Sequence, residues 1–165
     1  MNYTWCLRGG FKLTQNYPDK DPGSIEASSF VYTGGGTFGK AYMSTEGRLV
    51  EYHTGPLAGT FIIPITLPDN FQSFKPDGLS ILSRRDGVTT SLAMTMKKDG
   101  SADSVVNASD IKATADVTFE EKTFTPGSTY SPGDRLIFEI ASTPGGPLVK
   151  NQICNLKLAY YKRWR

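Results

Sequence analysis

The sequence predicts an all-β domain, an antiparallel β-sandwich of the jelly-roll type preceded by an extended N-terminal arm. Two observations carry that prediction. Short runs of alternating apolar residues are bounded by Gly, Pro, Asp and Asn, and a 3.6-residue apolar stripe is nearly absent. A third observation sets the size: 165 residues suit one domain with its own hydrophobic core.

Residues 1–24 read as the arm. Arg8-Gly9-Gly10 and the run from Tyr17 to Gly23 break any period, while Trp5, Phe11 and Tyr17 supply large apolar anchors. Such a composition suits a segment ordered by packing on something else. These three aromatics are the candidate contacts with a neighbouring subunit or partner; an irregular first strand is the alternative. Deleting residues 1 to 22 is therefore expected to leave a folded β domain.

Residues 25–165 read as a single sandwich. Phe61, Ile63, Ile65 and Leu67 alternate with polar or outward positions; so do Leu92, Met94 and Met96, then Leu136, Phe138 and Ile140, then Cys154, Leu156, Leu158 and Tyr160. Weaker strands are expected over 27–32, 41–43, 48–53, 78–84 and 117–124, giving eight or nine in all. Turn residues separate them at Gly34-Gly35-Gly36, Asp86-Gly87, Asp99-Gly100, Pro126-Gly127, Pro132-Gly133 and Gly145-Gly146. Only residues 104–111 leave room for a turn or two of helix. Pro64 has no amide proton to give to a ladder, so its strand is expected at an edge or with a bulge.

Charge and cysteine content narrow the function. Eighteen Lys+Arg against 16 Asp+Glu give a net +2, so nucleic acid is not an expected partner. The basic, aromatic C-terminus from Tyr160 to Arg165 reads as a last strand with a solvated tip. Cys6 and Cys154 share no metal-type spacing; they are expected either to pair or to stay as two buried thiols. The N-terminus lacks the pattern of a signal peptide, and no window approaches the ~20 apolar residues of a membrane span. No membrane association is expected.

The motifs that carry chemistry do not assemble. Gly34-Gly35-Gly36-Thr37-Phe38-Gly39 matches G-x-G-x-x-G, but no helix pattern follows it and no kinase motif accompanies it, so it reads as a glycine hairpin. His53 is the sole histidine, and any triad would have to run through it. Nothing brings a nucleophile to it, and it reads as a structural residue at a strand end. Asp99-Gly100-Ser101-Ala102-Asp103 offers hard oxygen ligands but departs from the EF-hand pattern. Glu120 and Glu121 are sequence neighbours on opposite faces of a strand, so no glycosidase pair is indicated. No enzyme, cofactor or metal is implied.

From Phe61 onward the order of features resembles small jelly-roll proteins of tailed-phage particles. The resemblance rests on Leu67-Pro68-Asp69-Asn70-Phe71, a strand ending in Arg84-Arg85, the Asp99 to Asp103 loop, Phe124-Thr125-Pro126-Gly127, the run from Tyr130 to Leu136, and the closing strand 153–161. It implies a non-enzymatic virion component, a capsid decoration or cement protein or a fibre-type protein, assembled in the host cytoplasm. It also implies a homo-oligomer, with a trimer expected, bound to a major capsid or other virion protein. Gly35, Asp99 and Asp103 would then lie on outward loops facing a ligand. The rival class is a carbohydrate-binding sandwich for a host-surface glycan, with Tyr42, Tyr52, Tyr130 or Trp164 stacking on sugar rings.

Overall fold

A computed structural model describes the backbone of residues 2–6, 12–16, 21–26 and 30–163, with side chains for 23–26 and 30–163 except residue 90. The described residues hold no helix. In chain order the strands are β1 (Asn2–Cys6), β2 (Lys12–Asn16), β3 (Asp21–Glu26), β4 (Val31–Gly34), β5 (Thr37–Met43), β6 (Arg48–Thr54) and β7 (Gly59–Thr66). They continue with β8 (Phe71–Asp86), β9 (Thr89–Lys98), β10 (Ser101–Ala102), β11 (Ser109–Asp110), β12 (Glu120–Phe124), β13 (Arg135–Pro144) and β14 (Lys150–Lys162). β1 and β2 pair with each other as an antiparallel two-stranded sheet.

The remaining strands form two antiparallel sheets. One has the order β12-β8-β14-β6-β5, with β3 also paired to β14. The other has the order β10-β9-β13-β7-β4, with β11 also paired to β9. From β6 to β14 the chain crosses between sheets at each connection except those among β9, β10 and β11. The resulting orders, β6-β14-β8-β12 facing β7-β13-β9-β11, are those of a double Greek-key jelly roll. The predicted fold class is the one observed.

Alternation explains why these segments pair as they do. Phe61, Ile63 and Ile65 of β7 point inward beside Leu136, Phe138 and Ile140 of β13, which stand next to Met94 and Met96 of β9. From the facing sheet come Leu79 and Ile81 of β8 and Ile153, Leu156 and Leu158 of β14. Each such side chain, removed fully from water, contributes about 1.5–3 kcal/mol.

The expectation for Pro64 holds locally, and others change. Pro64 lies in a strand with neighbours on both sides, yet β4 pairs with β7 only from Gly59 to Ile62, so Pro64 sits on a local edge. Residues 104–111 are not helical. Val106 and Ile111 are both buried, and the amide of Met96 donates to the Val106 carbonyl (2.8 Å), so pairing with β9 takes the backbone groups a helix would use. The glycine run is not a hairpin: β4 and β5 belong to different sheets, and Gly34 and Gly36 cross between them with φ of 102° and 79°. The expected arm of residues 1–24 overlaps β3, which already lies in the sheet from Asp21.

Candidate functional site

Two groups of polar side chains, both resembling reactive sites in their chemistry, are sealed inside the sandwich. At one end His53 on β6 is fully buried and stacked on Phe38 at 4.2 Å. Its Nε2 lies 3.0 Å from the Gly35 carbonyl, which can only accept, so Nε2 carries the proton and Nδ1 accepts from the Ser142 hydroxyl at 2.8 Å. Ser142 Oγ accepts in turn from Asn151 Nδ2 (2.8 Å), and Asn151 Oδ1 accepts from the Thr89 hydroxyl (2.5 Å). The chain of donors is consistent from Thr89 to Gly35 with a neutral imidazole. Burial lowers the His53 pKa, against the opposing pull of the Gly35 carbonyl. Ser142 is buried, and through His53 the relay ties β13 and β14 to the Gly34–Gly36 crossing.

At the opposite end Asp103 is 2% exposed. Its carboxylate accepts from the amides of Val105 (2.9 Å), Val106 (3.1 Å), Gly127 (3.0 Å) and Ser128 (2.8 Å) and from the Tyr130 hydroxyl. Burial works against the charge, but the Gly127 amide, the Tyr130 hydroxyl and the Ser128 and Val105 amides outweigh it, leaving the pKa far below the carboxylate range. The structure turns the Asp103 carboxylate inward. Asp99 is exposed, but it and Gly100 form the tight turn between β9 and β10 with φ of 49° and 82°. Gly35 is half-buried; its amide donates to Ala58 (2.9 Å) and its carbonyl accepts from His53. No cluster of three or more metal-ligating side chains occurs among the described residues.

Of the proposed partner contacts, Phe11 and Tyr17 lie outside the described residues, and for Trp5 only the backbone within β1 is described. Cys154 is a buried free thiol whose pKa is raised by burial, while the Cys6 side chain lies outside the described ones. Among the candidate sugar-stacking aromatics, Tyr130 is buried, Tyr52 is half-buried and Tyr42 is 68% exposed; Trp164 lies outside the described residues.

What sequence reasoning missed is the surface at the His53 end. Four jelly-roll loops meet there: β6–β7, β8–β9, β11–β12 and β13–β14. Thr54 Oγ1 donates to the Val149 carbonyl (2.8 Å), Gly145 N to Val88 O (3.0 Å) and Val117 N to Arg85 O (2.8 Å), which ties the loops together. The β11–β12 loop is further fixed by an Arg85–Asp116 ion pair (3.1 Å). Glu120 also holds it, accepting from the amides of Ala115 and Thr114, and the Ala115 bond leads in lowering the Glu120 pKa to about 2. Each loop carries one large exposed aliphatic: Leu57 (61%), Val88 (74%), Val117 (54%) and Leu148 (88%).

A cleft of about 220 Å³ opens on the side of the sandwich between Glu26, Phe30, Lys40, Leu49 and Glu51. Glu51 is buried, bonded through Oε1 to Lys40 Nζ (3.1 Å) and through Oε2 to the Tyr32 hydroxyl.

No protein-family model matches the chain, and no curated protein matches its sequence. Among the solved structures to which the chain is distantly similar are two β-rich proteins. The enzymatically active domain of tailspike protein 4 of bacteriophage CBA120 aligns over 86% of this chain at 12% identity, with a TM-score of 0.40. The chain spans 19% of that protein's length. The family 11 carbohydrate-binding module of a cellulosomal cellulase from Clostridium thermocellum aligns over 87% of this chain and 89% of its own, at 13% identity and a TM-score of 0.38. These neighbours are β-rich, and likenesses this distant carry no statement about activity.

Proposed function

We propose that this jelly roll is a non-enzymatic structural component of a phage particle, of the capsid decoration or fibre type, and that it works by contact. The supporting observation is the end surface: four neighbouring loops each offer one exposed aliphatic, while His53 and Asp103 are buried and hydrogen-bonded within the sandwich. The partner that this surface fits is a second copy of the chain. Burying what these four aliphatics still expose contributes about 4–8 kcal/mol per copy, comparable to the roughly 4–15 kcal/mol cost of association. One such contact is marginal; repetition around a symmetry axis or across a lattice makes it lasting.

The test is the solution mass of the full chain by light scattering, beside a variant carrying Leu57→Ser, Val88→Ser, Val117→Ser and Leu148→Ser. The expected outcome is a native homo-oligomer, a trimer by this reading, and a monomeric variant with unchanged thermal unfolding. A native monomer, or a variant that assembles equally well, overturns the proposal.

A second reading, a carbohydrate-binding module mediating attachment, is favoured by one feature, the exposed Tyr42 beside the polar side cleft.

A further inference from the structure

β14 changes partners midway. On one side it pairs with β6 through Lys150–Ile153 and with β3 through Lys157–Lys162, leaving Cys154, Asn155 and Leu156 with no pairing strand there. Its register with β8 also shifts between Cys154 and Lys157, and Asn155 adopts a left-handed φ of 52°. This bulge opens the fork that forms the side cleft, lined there by the buried Ile153 and Cys154.

The walls are of two kinds. Residues 38, 40 and 42 of β5 stand opposite 53, 51 and 49 of β6, and alternate positions share a face. Along that face the cover thins: His53 is sealed, Glu51 is roofed by Tyr32, and the directly paired Tyr42 and Leu49 emerge at 68% and 59% exposure. An apolar platform therefore adjoins a polar wall made of the Lys40–Glu51 pair. Lys40 is half-exposed and keeps donors beyond the one it gives Glu51. Exposed Glu26 and Asn155 complete the rim.

We infer that this cleft binds a single uncharged sugar ring, with one apolar ring face on Tyr42 and Leu49 and its hydroxyls on Lys40 and Asn155, Glu51 holding Lys40 in place. The inference rests on the carbohydrate-binding reading and assigns it a site. The volume lies below the roughly 300–1,000 Å³ of sites for drug-sized ligands, which suits one ring and not an extended chain. Two carboxylates against one ammonium disfavour acidic sugars. A ring with an apolar face and a hydroxylated rim matches a platform set against bonded polar groups.

The experiment is binding of the labelled full chain to an immobilised glycan panel with neutral and sialylated termini, repeated with Tyr42→Ala. Native protein is expected to retain neutral-terminated glycans over sialylated ones. Tyr42→Ala, at an exposed position, is expected to weaken retention about tenfold with unchanged thermal unfolding. Retention of glycans with equal strength by Tyr42→Ala overturns this site while leaving the carbohydrate-binding reading standing. No retention by the native protein overturns both.

Discussion

Asp103 and His53 show how much of this domain hangs on single polar side chains. Asp103 satisfies four amides and one hydroxyl from two loops that no strand pairing joins. In Asp103→Asn an amide NH₂ replaces one acceptor oxygen and faces donors, so stability should fall by about 3 kcal/mol in urea unfolding, and further in Asp103→Ala. A folded pKa below the unfolded value of about 3.9 means this contribution is present above pH 4 and is lost as acid protonates the group. His53 has the opposite sign. Its folded pKa is lowered from about 6.5, so the unfolded chain binds the proton first and stability falls as pH drops below 6.5. The chain has no other histidine, so His53→Gln should flatten the thermal midpoint between pH 7 and 5.5, where the native protein slopes downward. Gly36 is the third such residue. A Cβ there would lie 2.4 Å from His53 Nε2 at a φ of 79°, and Gly36→Ala should destabilise the fold by several kcal/mol in the same assay.

Elements were legible where one face meets the core. The alternation through Leu136, Phe138 and Ile140 continues in register to Ser142, and a polar residue at an inward position is the one sequence signal of the buried relay. Asp103 gave no such signal, because beyond the local Val105 and Val106 amides its partners Gly127, Ser128 and Tyr130 lie 24 to 27 residues away across a stretch with no period. The glycine run was misread because glycine permits a hairpin and a crossing alike, and only the pairing of β4 with β7 and of β5 with β6 separates them. The bulge in β14 was equally silent, since Asn155 falls at an outward position of a good alternation. Asn tolerates the left-handed region and a β-branched residue does not. Asn155→Val should cost about 1–3 kcal/mol by chemical unfolding, whereas Asn155→Gly should leave stability nearly unchanged.

At the scale of the molecule, the all-β sandwich class was readable from alternation and turn spacing, but the strand order and the position of the first strands were not. β3 lies beside the second half of β14 with Ile25 packed on the core, so the sandwich begins before residue 25. Deleting residues 1–20 should keep a cooperative unfolding transition, and extending the deletion through Glu26 should lower its midpoint, because Leu158 and Tyr160 then lose their strand neighbour. Survival of the longer deletion at native stability would show that β3 contributes nothing to the fold. The loop-tip aliphatics escaped sequence reading for a simple reason. Single aliphatics beside turn residues form no pattern until the topology gathers four of them at one end.

The place of β14 also bears on how the molecule is made. β3, β6 and β8 all pair with it, and it is synthesised after every one of them. A nascent chain halted before Lys150 contains every other strand described here and still has a gap in the middle of one sheet, with β6 and β8 each offering a bare hydrogen-bonding edge. The domain must therefore complete its folding after Lys162 has left the ribosome, at a rate set by long-range closure, and in the interval it is open to strand addition from other nascent copies.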